Sequence, residues 1–182
     1  MPHATIVYYG PGMAGKSTNL QSLARTWLAE ARGELRSEGI ATYRRVSLDL
    51  LVPSAQTNRR LSLTLVTTPG CILYDHDRTS TLKTADGVVF VADSQKNKLE
   101  ENLKHLRELA FMLIQYRRDT SLIPIVMQYN KRDVPAALDL PTLQHYLNQH
   151  GWPVIEAVAI RNVGVIETLR AICTAIEHRR AR

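Results

Sequence analysis

Residues 6–18 read Ile-Val-Tyr-Tyr-Gly-Pro-Gly-Met-Ala-Gly-Lys-Ser-Thr, a strand-like apolar run that passes into the pattern Gly-x-x-x-x-Gly-Lys-Ser. The residues after it carry apolar side chains at helical spacing, namely Leu20, Leu23, Ala24, Trp27 and Leu28. A phosphate-binding P-loop needs both flanks, because the loop turns between the end of a strand and the beginning of a helix. The stretch therefore predicts a site for a phosphorylated ligand.

The residue types of this loop suit a chain of phosphates. Gly10, Gly12 and Gly15 allow the backbone to turn its N–H groups inward without Cβ clashes, and the helix that follows adds the positive end of its dipole. Lys16 can reach the β- and γ-phosphates, and the Ser17 hydroxyl can ligate Mg²⁺. The alternative is a glycine-rich turn that binds nothing. The positions predicted to bind the phosphates are Gly10, Gly12, Met13, Ala14, Gly15, Lys16, Ser17 and Thr18.

Length and composition predict one globular domain over residues 1–182, since 45% of the residues are hydrophobic and 22% are charged. Cys71 and Cys173 lie far apart without metal-ligand spacing. The N-terminus carries no secretory apolar segment, and no apolar run approaches the roughly 20 residues of a membrane-spanning helix. We therefore expect a cytoplasmic protein.

The net charge of +6 would allow a nucleic-acid partner. The paired arginines are dispersed along the chain, at residues 44–45, 59–60, 117–118 and 179–180. They lack the interleaved aromatic side chains on which single-strand binders stack bases. Nucleic acid is therefore not the favoured partner.

Apolar strand-like runs alternate with amphipathic segments along the whole chain. This rhythm predicts a three-layer α/β fold with a mostly parallel six-stranded sheet flanked by five helices. The predicted strands are the run before the P-loop and residues 48–52, 61–66, 88–92, 123–129 and 154–158. A short turn at residues 53–58 makes the second and third strands the one antiparallel pair. Residues 33–47 have no clear period and are predicted to form a mobile loop, and Ser94 is predicted to cap the long helix that follows it.

Asn130-Lys131-Arg132-Asp133 stands directly after the fifth predicted strand and fits Asn-Lys-x-Asp. The Asp133 carboxylate can accept from N1–H and the exocyclic amine of guanine, whereas adenine has no such pair of donors. Lys131 can lie along the base, and Asn130 can tie this loop to the P-loop. Ligands of a doubly wound sheet lie beyond the carboxyl ends of its strands, so both motifs belong to one guanine-nucleotide site. A solvated polar loop whose aspartate caps a turn is the alternative.

Thr67-Thr68-Pro69-Gly70 follows the third predicted strand, where a GTPase normally has Asp-x-x-Gly. Gly70 could donate its N–H to a γ-phosphate, which would make the segment after it sensitive to the bound nucleotide. The Thr67 hydroxyl is a weaker partner than a carboxylate for a water bound to Mg²⁺. A plain strand-end turn is the alternative.

With these motifs the chain resembles the small Ras-like GTPases, and among them the bacterial MglA type. The resemblance covers almost the whole chain. Besides the stretches quoted above, it rests on Asp-Gly-Val-Val-Phe-Val-Ala-Asp-Ser-Gln at residues 86–95, Gln-Tyr ahead of Asn130, and Ala-Val-Ala at residues 157–159. Threonine at position 67 is itself a trait of that family.

The resemblance implies GTP and GDP as ligands, Mg²⁺ as cofactor and a Roadblock-domain regulatory protein as partner. It places Val158, Ala159 and Ile160 at the base, with the Ala159 N–H donating to the guanine oxygen. It also implies that Arg44 acts in cis on the phosphates. Lys16 and Gly70 can contact the same phosphates, so the predicted catalytic residues are Arg44, Lys16 and Gly70.

Two positions depart from the family pattern. Cys71 stands where the family has a glutamine that orients the attacking water, and Arg45 aligns with the threonine that closes over Mg²⁺. Thr42 or Ser47 could reach the metal if the loop shifts. We therefore expect slow GTP hydrolysis, and the alternative function is a nucleotide-bound scaffold that performs no chemistry.

Overall fold

The computed structural model of the chain describes residues 2–26, 35–38, 45–54, 60–68, 80–116 and 123–181. The strands are β1 (His3–Tyr9), β2 (Arg36–Glu38), β3 (Arg45–Pro53), β4 (Arg60–Thr67), β5 (Gly87–Asp93), β6 (Ile125–Asn130) and β7 (Val154–Glu156). The α-helices are α1 (Lys16–Thr26), α2 (Leu99–Tyr116), α3 (Leu140–Leu147) and α4 (Val165–Arg180), with 3-10 helices at Lys96–Lys98 and Ala159–Arg161 and a further helical segment at residues 80–83. None of these described helices is long and apolar enough to cross a membrane.

The strands form one mixed sheet in the order β2-β3-β4-β1-β5-β6-β7. The neighbours from β4 to β7 are parallel, whereas β3 runs antiparallel to β4, with Pro53 opposite Arg60. The predicted three-layer fold, its mostly parallel sheet and the antiparallel pairing of residues 48–52 with 61–66 are confirmed.

The sheet has seven described strands, so the prediction of six was wrong. The additional strand, β2, lies in the stretch that was predicted to be a mobile loop, and it pairs antiparallel with the beginning of β3, Arg36 opposite Ser47 and Glu38 opposite Arg45. There are consequently two antiparallel pairs among the described strands. All three side chains of β2 are exposed, so this edge strand has no alternation of apolar residues, and main-chain pairing alone defines it.

The core has two halves, one on each face of the sheet. Ile6 and Tyr8 of β1 pack in the half covered by α1 and α4, and Val7 and Tyr9 pack in the half covered by α2 and α3. Because successive side chains point to opposite faces, the central strands are buried on both sides and appear in the sequence as continuous apolar runs.

Two helices, α2 and α3, differ in how they begin. Ser94 does not cap α2, because a 3-10 helix at Lys96–Lys98 intervenes; within the described part of the chain its buried hydroxyl meets no hydrogen-bond partner. Helix α3 begins with Pro141 in its first turn, where the missing N–H of proline costs no helical hydrogen bond. Its N-cap is Asp139, whose carboxylate accepts the Thr142 N–H at 2.8 Å, and this hydrogen bond lowers the pKa of Asp139.

Candidate functional site

The P-loop turns from β1 into α1 at backbone angles that favour glycine. Gly10 has φ 139° and Gly15 has φ 103°. A Cβ at Gly10 would lie 2.3 Å from the main-chain oxygen of Val91, and a Cβ at Gly15 would lie 2.1 Å from Nδ2 of Asn130. Met13 also has positive φ, 61°, with a side chain that is 87% exposed. The loop can therefore follow this path only with glycine at positions 10 and 15.

Lys16 folds back over the loop. Its Nζ donates to the main-chain oxygens of Gly10 at 2.8 Å and Pro11 at 2.6 Å, and the residue is buried. Ser17 and Thr18 follow it in the first turn of α1, and both are half-buried. The ammonium, the hydroxyls and the helix N-terminus thus share one end of the sheet, an arrangement that suits an anion.

Asn130, the last residue of β6, joins two loops of the site. Its Nδ2 donates to the main-chain oxygen of Ala14 at 2.7 Å, and its Oδ1 accepts the Ala159 N–H at 2.9 Å. The predicted tie between the Asn-Lys-x-Asp loop and the P-loop is present, and Val158, Ala159 and Ile160 lie beside it. The Ala159 N–H, however, is engaged within the protein, so a guanine oxygen would share this donor with Asn130.

Lys131 is held by a residue that sequence reasoning missed. Its Nζ lies 2.6 Å from Oδ2 of Asp93, which is buried at the end of β5, and Gln95 donates to the same carboxylate from both its main chain and its side chain. The signal that could have found Asp93 is its position, because the carboxyl ends of neighbouring parallel strands meet at one edge. Tyr129 precedes Asn130 in β6, and burial raises the pKa of its hydroxyl to about 12, so its side chain is neutral.

Asp133 is exposed after Lys131, on the loop that follows β6. Its Oδ2 lies 3.8 Å from a guanidinium nitrogen of Arg161, a long and solvated ion pair that leaves the carboxylate able to accept other hydrogen bonds. The loop itself is anchored through Arg132, whose Nε donates to Glu156 at 2.8 Å. The predicted base-binding carboxylate is therefore presented to solvent by a loop that Arg132 anchors to Glu156 of β7.

The Thr67 hydroxyl is occupied by the neighbouring strand. It accepts the Val46 N–H at 2.8 Å and lies 3.4 Å from the Val46 oxygen, to which it donates. Thr67 is the last residue of β4, so its side chain extends the β3–β4 pairing toward the site. Ser47, one of the alternatives for closing over Mg²⁺, lies inside β3 opposite Val66.

The remaining predicted residues, Arg44, Thr42, Gly70 and Cys71, lie outside the described residues. In the described ranges no cluster of three or more His, Cys, Asp or Glu side chains could hold a metal. Mg²⁺ binds nucleotide sites through one or two protein ligands together with phosphates and waters. A lone Ser17 hydroxyl beside a phosphate cradle fits that mode of binding, and it does not fit an all-protein cage.

Gly10→Ala should destabilise the protein by more than about 3 kcal/mol, because the added Cβ would meet the main-chain oxygen of Val91 in the neighbouring strand β5 and because φ at position 10 is positive. Gly151→Ala is the matched control. Gly151 also has positive φ, 67°, but has open space around it, so only about 1 kcal/mol of backbone strain is expected. Urea unfolding followed by circular dichroism compares them, and equal losses would contradict the clash.

A P-loop after β1 and an Asn-Lys-x-Asp loop after β6, joined at one edge of this sheet, place the chain in the class of small Ras-like GTPases. No protein-family model matches the chain. It is 42% identical over 173 residues to the mutual gliding-motility protein MglA of Myxococcus xanthus (strain DK1622), covering 94% of this chain and 89% of that protein. The chain belongs to the MglA family of small GTPases, which confirms the resemblance that its motifs indicated.

Proposed function

We propose that the protein is a guanine-nucleotide switch that binds GTP and GDP with Mg²⁺ and hydrolyses GTP slowly. The observation that carries this proposal is the pair of hydrogen bonds made by Asn130, to Ala14 at 2.7 Å and from Ala159 at 2.9 Å. They hold the phosphate loop (residues 10–18) and the base loop (residues 158–164) side by side at one edge of the sheet.

The roles follow from the chemistry of each group. Lys16 and the N–H groups of residues 10–18 bind the phosphates, and the Asp133 carboxylate pairs with the two donors of guanine. Lys131, held by Asp93, lies along the base. The Ser17 hydroxyl would hold Mg²⁺ together with phosphate oxygens, and the ion when bound supplies positive charge that offsets the phosphate charge.

Slow hydrolysis is proposed from two residues. Cys71 stands where an amide would orient the attacking water, and a thiol is a poor substitute for it. Position 67 carries a threonine and no carboxylate that could bind a metal-bound water, and the Thr67 hydroxyl already accepts a hydrogen bond from the Val46 N–H. We therefore propose that a Roadblock-domain regulator stimulates the reaction, with Arg44 supplying the positive charge and Gly70 an N–H to the γ-phosphate.

The second candidate is a scaffold that binds nucleotide without hydrolysing it. The observation that favours it is that the Thr67 hydroxyl hydrogen-bonds with both the N–H and the main-chain oxygen of Val46. A hydroxyl used in this way between β3 and β4 is not available for the reaction. Both candidates need the same nucleotide site, so only the release of phosphate separates them.

The decisive experiment uses the purified protein. Nucleotide extracted from it by denaturation should be GDP or GTP, and a single turnover after loading with GTP and Mg²⁺ should release phosphate slowly. Protein that neither carries nor binds a guanine nucleotide would contradict the proposal. Protein that binds GTP but never releases phosphate, with or without the regulator, would favour the scaffold.

Lys16→Ala should weaken GDP binding by about 1.5–3 kcal/mol, the worth of a charge-assisted hydrogen bond, which is about one to two decades in affinity. Added GDP should raise the melting temperature of the native protein and raise that of the variant less, since a ligand of the folded state stabilises it by mass action. Lys104→Ala, on the exposed face of α2, is the control and should behave as native. Melting that is indifferent to GDP would mean that the P-loop is only a turn.

A cytoplasmic location is also proposed. Cys173 is a free, buried cysteine, and burial raises the pKa of its thiol to about 12. An unpaired thiol suits a reducing compartment, where disulfides are rare.

A further inference from the structure

A chain of buried side-chain hydrogen bonds runs beneath the site. Gln128, in the middle of β6, faces Asn19 of α1, and the two amides exchange hydrogen bonds of 2.8 and 2.9 Å. Gln128 Nε2 also donates to the hydroxyl of Thr168 at 2.8 Å. The chain continues at both ends, from Asn19 Nδ2 to the main-chain oxygen of Gly15 at 3.0 Å and from the Thr168 hydroxyl to that of Gly164 at 2.6 Å. The three side chains are fully buried.

The two ends of this chain lie in the two halves of the nucleotide site. Gly15 is the last glycine of the P-loop. Gly164, with φ 72°, ends the base loop, which hydrogen bonds between Val158 and Val163 close. A parallel link of 2.6 Å joins Ser22 of α1 to the main-chain oxygen of Ala159. Helix α1 therefore carries the phosphate loop at its beginning and holds the base loop along its side.

This series of polar side chains packs among the apolar side chains of the half of the core that α1 and α4 cover. Filling such a position with apolar side chains of similar size can be neutral or stabilising, so folding alone does not require amides there. Amides differ from apolar side chains in that their hydrogen bonds have fixed direction and length. Three buried side chains in series can therefore define how far apart the two loops lie.

We infer that Asn19, Gln128 and Thr168 are positioning residues that set the spacing of the phosphate and base loops and so slow the release of nucleotide. The inference rests on the proposed nucleotide-binding function. It extends that function to fully buried residues, which lie beneath the two loops and are not expected to contact the nucleotide.

The double variant N19L/Q128M separates positioning from stability. It removes both amides together, and it strands no main-chain group, because the main-chain N–H at position 19 still donates to Gly15 at 3.0 Å and the Thr168 hydroxyl still donates to Gly164. Each single variant, by contrast, leaves one buried amide without its partner. The single variants should therefore melt at lower temperature than the double variant, although all three variants interrupt the series of buried hydrogen bonds.

The measured quantity is the rate at which fluorescent N-methylanthraniloyl-GDP leaves the protein when excess GDP is added, with Mg²⁺ present. We expect the double variant to melt near the native temperature in GDP but to release the probe about tenfold faster, the effect of about one lost buried hydrogen bond. Release within about twofold of the native rate would overturn the inference while leaving nucleotide binding intact. Native protein that does not bind the probe would instead overturn the proposed function.

Thr168 provides a gentler pair of variants in case the double variant does not fold. Thr168→Val keeps the shape and loses the hydroxyl, so release should accelerate, whereas Thr168→Ser keeps the hydroxyl and should restore slow release. Equal release from these two variants would overturn the inference. Asn148→Ala is the control, because this buried amide pairs with Trp152 ahead of β7, at the opposite edge of the sheet; it should lower the melting temperature and leave the release rate unchanged.

Discussion

Replacing Asp133 by asparagine is expected to move the base preference from guanine to xanthine. The carboxylate offers two acceptors to the adjacent donors of guanine, whereas the amide keeps one acceptor and presents a donor to the second carbonyl of xanthine. A site built around specific hydrogen bonds discriminates by about 10⁴ between matched and mismatched ligands, so the ratio of GDP to XDP affinity should change by about that factor. The long contact of 3.8 Å to Arg161 leaves this carboxylate available.

Competition of GDP, XDP and ADP against fluorescent GDP measures the change. Asp139→Asn is the matched control, since it makes the same substitution at the N-cap of α3, where asparagine caps as well as aspartate. The control should keep the guanine preference. Native protein that binds ADP as tightly as GDP, or an Asp133→Asn variant that still prefers GDP, would contradict the assignment.

Arg44→Ala is expected to lower the rate of GTP hydrolysis stimulated by the proposed Roadblock-domain regulator by about a thousandfold or more, the worth of an arginine that neutralises charge on the transferring phosphate. Unstimulated hydrolysis should change much less, because we propose that the regulator brings this arginine to the γ-phosphate. Single-turnover phosphate release, with and without the regulator, measures both rates.

Arg45→Ala is the control that the chain offers beside it. Arg45 begins β3 opposite Glu38 of the exposed strand β2, and directly opposed residues of antiparallel strands place their side chains on one face. We propose that Arg45 serves the surface or the partner and that Arg44 serves the phosphates, because adjacent residues of an extended segment would point to opposite sides. An unchanged stimulated rate in Arg44→Ala, or an equal loss in Arg45→Ala, would remove the proposed role in cis.

The juxtaposition of the P-loop and the Asn-Lys-x-Asp loop was predictable from the chain alone. Each motif follows a strand that is largely apolar, which indicates burial on both faces and hence a parallel sheet. Parallel strands bring such loops to one edge, and the contact between Asn130 and Ala14 at 2.7 Å confirms it. The prediction succeeded because both signals are local, a few residues at fixed spacing.

Other features depend on partners that are distant in sequence. Gln128 looks like a polar interruption of a buried strand, and its meaning comes from Asn19, 109 residues away, and Thr168, 40 residues away. Asp93 likewise acquires a role only beside Lys131, 38 residues on. The position of a polar residue in a strand or helix does not indicate which distant residue will bind it. The sequence could therefore show only that Gln128 and Asp93 depart from the apolar pattern around them.

Sequence alone determined the class of fold, the order of the motifs and the class of ligand, a guanine nucleotide. These features depend on the periods of strands and helices and on glycine-rich loops, and each such pattern is formed by residues that are close together in the sequence. Tertiary structure decided that β2 is a strand, since its exposed side chains carry no pattern and its hydrogen bonds to β3 define it. It also decided that the Thr67 hydroxyl serves the sheet, because Val46 is brought beside it only when β3 and β4 pair. Local patterns specify elements, and the use of each polar group is specified by whatever the folded chain places next to it.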